Sequence, residues 1–136
     1  MTRLIILLAL LLTGCFPSTP EMIRQKPANR TEFTVDASYQ EVYRRIAPVA
    51  RQCGQMVWIG HNTVIRAEIY TDIRKAEIAQ EMQNLLAGHS VVWLADLEAL
   101  GETETRVTIF QGIGKGWEKI IRHWADGGDT CSAPSA

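Results

Sequence analysis

Residues 38–71, SYQEVYRRIAPVARQCGQMVWIGHNTVIRAEIYT, contain the change of period that decides the fold. Ser38 and Glu41 have capping-box spacing, in which a hydroxyl and a carboxylate each satisfy a free amide of a starting helix. Tyr39, Val42, Tyr43, Ile46, Val49, Ala50 and Cys53 follow at helical spacing, and Gly54 suits the stop. Pro48 lies inside this run and lacks the amide that would bond the Arg44 carbonyl, which predicts a kink. Past Gly54 the apolar period drops from about 3.6 to 2. Residues 55–59 read as a strand, Gly60-His61-Asn62 as a turn, and residues 63–71 as a second strand. Ile65, Ala67 and Ile69 share one face of that second strand, with Arg66 and Glu68 on the other.

The same alternation continues downstream. Asp72–Lys75 reads as a turn, and residues 76–87 fit two templates. Ala76, Ile78, Gln80 and Met82 line a strand face, while Ile73, Ala76, Met82, Leu85 and Leu86 fit a helix loosely; the spacing on both sides favours the strand. Residues 90–99 are a firmer strand, with Val91, Trp93, Ala95 and Leu97 pointing one way and Val92, Leu94, Asp96 and Glu98 the other. Residues 105–111 return with Val107 and Ile109 inward. Gly112, Gly114 and Gly116 then break the strand, and Trp117, Ile120, Ile121 and Trp124 form the stripe of a closing helix ending near Gly127-Gly128. Upstream, residues 31–36 alternate as a first short strand. The order is β-α-β-β-β-β-β-α, an α+β fold in which an antiparallel sheet of about five to six strands packs against two helices. By element order alone this resembles the helix-grip architecture, including accessory lipoprotein domains of the outer-membrane β-barrel assembly machine.

The N-terminus has another character. Met1-Thr2-Arg3 is a short positive start, and Leu4–Leu12 is unbroken apolar sequence. As a helix it spans roughly 14 Å, half of the ~30 Å bilayer core, which is the length of a signal-peptide core rather than an anchor. Leu12-Thr13-Gly14-Cys15 follows and resembles the lipobox of bacterial lipoproteins. The resemblance implies that the cysteine thiol takes a diacylglyceryl group as a thioether and that residues 1–14 are removed. Palmitate-type acylation of Cys15 then gives a firm membrane anchor. The residue after Cys15 is Phe16 rather than Asp, which by the enteric sorting pattern implies the outer membrane, facing the periplasm. Residues 15–30, with prolines at 17, 20 and 27, read as a flexible tether. Residues 31–128 form the domain, and residues 129–136 a C-terminal tail.

Cys53 and Cys131 remain as an even pair in an oxidising compartment, and a disulfide between them closes a loop of about 80 residues. Chemistry is sparse elsewhere. His61 falls in a turn, His89 in a loop before a strand and His123 on the polar side of the last helix, with no metal-ligand pair at helical spacing. Gly112-Ile113-Gly114-Lys115-Gly116 precedes a helix but matches neither the dinucleotide fingerprint nor the P-loop, and reads as a strand-to-helix joint. Asp96 and Glu98 read as solvated acids, and no catalytic residue, metal or cofactor is expected. Lys and Arg number 14 against 15 Asp and Glu, so nothing basic points to nucleic acid. Trp58, Trp93, Trp117 and Trp124, with Tyr39 and Tyr43, are mostly core; the tryptophans are also the candidate ligand or partner surface. The expectation is a non-catalytic envelope lipoprotein that presents a small domain to a protein partner, as an accessory of an assembly or secretion complex. The alternative is a periplasmic carrier of a lipid or other hydrophobic ligand between sheet and helices, which requires an open apolar volume of about 300 Å³ or more.

Overall fold

The computed structural model of the chain describes residues 17–135. The leader, the lipobox and Cys15 lie outside the described residues. A short helix α1 (Pro20–Arg24) and a single 3₁₀ turn (Pro27–Asn29) precede strand β1 (Arg30–Val35). Then come α2 (Tyr39–Gly54), β2 (Met56–Trp58), β3 (His61–Tyr70), β4 (Lys75–Asn84), β5 (Gly88–Ala99), β6 (Thr105–Gln111) and α3 (Trp117–Ala125). Beyond α1, this is the expected order. The strands form one antiparallel sheet in the order β1-β6-β5-β4-β3-β2, and residues 76–84 belong to a strand, not a helix.

Local chemistry sets these elements. The Ser38 hydroxyl accepts from the Glu41 amide at 3.2 Å, so one half of the capping box forms. The Glu41 carboxylate turns instead to Arg44 and Arg45 on the next turn. Helix α2 continues through Pro48, which sits on the exposed side, and stops at Gly54. A Cβ at Gly54 would meet the Ile65 Cδ1 at 2.9 Å, so the helix end lies close against β3 because its last residue has no side chain.

One face of the sheet carries the main core. Ile78, Trp93, Leu97, Val107 and Ile109 meet Val42, Ile46 and Ala50 of α2 and Ile121 and Trp124 of α3, all buried. Cys53 and Cys131 are bonded, with Cα atoms 5.3 Å apart. The bond ties the last turn of α2 to the segment that follows α3, as the cysteine count led one to expect.

The other face departs from the sequence reading in two ways. First, Gln80 pairs with Trp93 but Glu81 pairs with Val91, so Val92 is an extra residue in β5. This bulge reverses the alternation below it: Val92 joins Trp93 on the helix side, and Val91, expected beside Trp93, turns outward with Leu94. The bulged backbone lies hard against Gly112, whose added Cβ would come 2.1 Å from the Val91 carbonyl oxygen. Gly112 is therefore explained by the close approach of two backbone segments.

Second, residues 15–30 are not a free tether over their described part. The Thr19 hydroxyl caps α1 by accepting from the Met22 amide, and Pro20 occupies the first turn, where its missing N–H costs nothing. Prolines that argue against a helix interior thus favour a helix start. Ile23 is fully buried on the sheet's outer face among Ala79, Val91, Leu94 and Phe110. The Pro17 carbonyl accepts from the Val91 amide at 2.8 Å. Residues 17–29 are a strap laid across β5 and its neighbours.

Candidate functional site

The strap is held by a continuous run of charged side chains that starts and ends on it. The Arg24 fork spans both Asp96 oxygens, with Nε 2.8 Å from Oδ2 and Nη2 2.7 Å from Oδ1. The same Nη2 also donates to Glu77. Glu77 accepts from Arg66 Nη1 at 2.6 Å, and Arg66 Nε reaches Glu81 at 2.9 Å. Glu81 meets His89 Nε2 at 3.2 Å, and His89 Nδ1 returns to the Ser18 carbonyl at 2.7 Å. Strand pairing makes this run: Glu77 stands opposite Asp96 on β5 and Glu68 on β3, two residues from Arg66. One line of side chains therefore crosses three strands and closes on the strap at Ser18 and Arg24.

The electrostatics keep these cations charged. The hydrogen bond to Asp96 raises the Arg24 guanidinium well above its ordinary value; burial opposes this, and Glu77 adds to the rise. For Arg66, burial pulls down, but the hydrogen bonds to Glu81 and Glu77 outweigh it and the net shift is upward. At the exposed end of the run the Tyr70 hydroxyl donates to Glu68, which lowers the carboxyl and raises the phenol. Replacing Arg24 by Ala leaves Glu77 and Asp96 without their shared fork. The expected loss, discounted because the Arg24 side chain is 32% exposed, is about 1–2 kcal/mol in denaturant unfolding. Arg24→Lys is expected to recover only part of it, because an ammonium cannot span two carboxylate oxygens in one plane.

Beside this run lies an open groove of about 480 Å³. Arg24 and Phe110 line it on the strap side, Lys75, Glu77 and Glu98 along its floor, and Tyr70 and Ile73 at its far end. Glu98 approaches both Lys75 and Arg106, at 3.7 and 3.5 Å. The carboxylates of the groove thus all face cations, which suits recognition of a polar surface more than proton transfer.

The residues singled out from the sequence fall elsewhere. Trp93 and Trp124 are buried, with ring centroids 6.3 Å apart, so neither is a surface. Their apolar bulk drew them into the core. Trp117 is half-buried, stacks 6.1 Å from Trp93 and donates to the Ile113 carbonyl. The Trp58 side chain lies outside the described residues. Trp93 and Trp117 line a cavity of only about 100 Å³ behind the disulfide, where the Trp93 Nε1 and Gln80 Oε1 have no partner among the described residues. That volume is a third of what the smallest ordinary ligand pockets offer, about 300 Å³.

His89 is not in a loop but inside β5, where it docks the strap. His61 begins β3 and pairs with Trp58, leaving Ile59 and Gly60 as the turn. His123 bonds to Thr130. In the Gly112–Gly116 loop the first amide of α3 already donates to the Gln111 side chain, so it is spoken for. Among the described residues no three His, Cys, Asp or Glu side chains stand close enough to hold a metal ion, and no helix is long and apolar enough to cross a membrane. From the sequence, Asp96 and Glu98 read as solvated acids and Arg66 and Glu68 only as sharing the polar face of one strand; their assembly was missed. The available signal was the apolar set Ala79, Leu94 and Phe110 on strand faces that otherwise carry charge.

No protein family's profile matches the chain, and neither does any curated relative. Among solved structures, a conserved protein from Geobacillus kaustophilus is similar over 59% of this chain and 68% of that one, at 9% identity and a TM-score of 0.35.

Proposed function

We propose that this chain is an exported lipoprotein, acylated on Cys15 and held at the outer membrane facing the periplasm, whose body binds a protein partner and catalyses nothing. The observation that carries the binding role is the charged run from Ser18 to Asp96 beside an open groove. It presents fixed, fully paired charges and a few apolar side chains on a rigid sheet, which is how a polar protein surface is recognised. The Cys53–Cys131 bond supports residence in an oxidising compartment, where such bonds persist. The lipobox Leu12-Thr13-Gly14-Cys15 supports the anchor. The role as accessory to an envelope assembly or secretion complex follows from the combination of anchor, small body and open face.

Two measurements test this reading. The mass of the processed chain is expected to begin at Cys15 with added acyl chains; an unmodified cysteine overturns the anchor. A photo-crosslinking residue in place of the exposed Ile73, at the end of the groove, is expected to give one discrete protein adduct in intact cells. The same residue in place of Lys119, on the exposed side of α3, is expected to give none. Adducts of equal yield at both positions, or none at either, overturn the groove as the binding face.

A further inference from the structure

We infer that the end of the sheet formed by the β2–β3 and β4–β5 turns is a membrane-contacting tip that dips into the same bilayer as the acyl chains; this rests on the lipid-anchor reading above. The two turns touch each other, since the Leu85 amide donates to the Gly60 carbonyl at 2.9 Å. The turns and the adjoining β2 carry large apolar side chains that nothing in the fold covers: Val57 is 83% exposed, Leu85 85%, Leu86 96%, and Ile59 fully. Four such side chains gathered at one end exceed the scattered apolar exposure of ordinary surfaces.

Charge is excluded from the same place. From Gln52 to Ile65 and from Met82 to Ala95 the chain contains no Asp, Glu, Lys or Arg. The opposite ends of the same strands are crowded with them, in residues 66–77 and 96–106. A tip meant for water or for a polar partner has no need of this division. One that enters the boundary between headgroups and acyl chains does, because each ionised group carried there is costly to desolvate.

The start of the described chain identifies the occupant. Pro17 and Ser18 bond to Val91 and His89, the first few residues of β5, immediately beside the Gly88 end that the β4–β5 turn forms. Cys15, the proposed site of acylation, is only two residues before Pro17 in the sequence. The described chain therefore starts at the same end of the molecule as the uncovered apolar tip. Tyr70, Ile73 and Lys75 of the groove lie at the other end of β3 and β4, ten residues along each strand and about 30 Å away. With the tip in the bilayer, the groove faces away from it, toward a partner.

The test uses the acylated full chain reconstituted in phosphatidylethanolamine–phosphatidylglycerol vesicles. In it Cys15 carries lipid and Cys53 and Cys131 are bonded, so an introduced cysteine is the single free thiol. Leu86→Cys and Ile73→Cys, both at exposed positions, each receive a nitroxide label. The label at residue 86 is expected about 5–10 Å below the headgroup plane, colliding with oxygen several-fold more, relative to a nickel chelate, than the label at residue 73. Equal ratios at the two positions, in a sample whose mass confirms the acylated cysteine, overturn the tip and leave the anchor standing. A missing acyl mass overturns the anchor itself. Strong spin–spin broadening at residue 86 in water-accessible surroundings overturns the tip in favour of contact between copies of the chain.

Discussion

Replacing both Cys53 and Cys131 by serine, or reducing the bond, is expected to lower the melting temperature by roughly 15 °C or more in calorimetry. The bond closes a loop with a sequence separation of 78 residues. Chain entropy for such a loop amounts to about 4 kcal/mol, and each kcal/mol moves the midpoint of a domain this size by roughly 4–8 °C. The position makes the loss concrete. Trp124 donates to the Thr130 carbonyl, one residue before Cys131, and Trp117 and Ile120 lie over the same cavity as the bond. Without the crosslink α3 keeps the core contacts of Ile121 and Trp124, but the segment after it is held only by contacts such as these and the His123–Thr130 hydrogen bond. A shift of under about 5 °C, with the bond shown to be formed in the parent protein, would falsify this account.

Ile23→Asp is expected to release the strap while leaving the sheet folded. Removing a fully buried isoleucine costs about 2–5 kcal/mol even when alanine replaces it, and a carboxylate cannot stay ionised among Ala79, Val91, Leu94 and Phe110. The strap has few other apolar contacts, so local detachment is the cheaper response than global unfolding. Trypsin should then cut after Arg24, which in the parent is pinned between Asp96 and Glu77. Hydrogen exchange at the Val91 amide, protected by Pro17, should quicken. With Arg24 withdrawn the groove loses a wall, and crosslinking from residue 73 should weaken in parallel. Cleavage at parental rates in a folded variant would show that the strap is held by its ion pairs rather than by Ile23.

Periodicity placed the six strands and the two long helices because those patterns answer to one buried face, and burial of that face outweighs every other local preference. The first helix was plain from Ser38 to Gly54, where the cap and the apolar spacing agree. Residues 76–84, which fitted two templates, became a strand because β3 and β5 flank them and satisfy their backbone on both edges. The cysteine pairing was also legible, since an even pair at the ends of two helices on one sheet face has few other solutions.

The outer face was not legible, and each miss has a physical cause. The β5 bulge sits where Gly112 packs against Val91, a contact between segments about twenty residues apart, and no pattern within β5 signals which residue will be extra. The strap was read as a tether because its prolines and polar residues were weighed locally. Its order comes from one isoleucine and one arginine meeting residues on three distant strands. Charges that look solvated one strand at a time become a paired run only when strand register sets Glu77 opposite Asp96 and beside Arg66.

The amino-acid order by itself determined the succession of elements and the inner core, since these depend on spacing along the chain. Tertiary structure alone decided the strap, the charged run with its groove and the uncharged tip near Pro17. Those features arise from residues far apart in the chain, and hydrophobic and electrostatic contacts reward nearness in space whatever the separation in sequence.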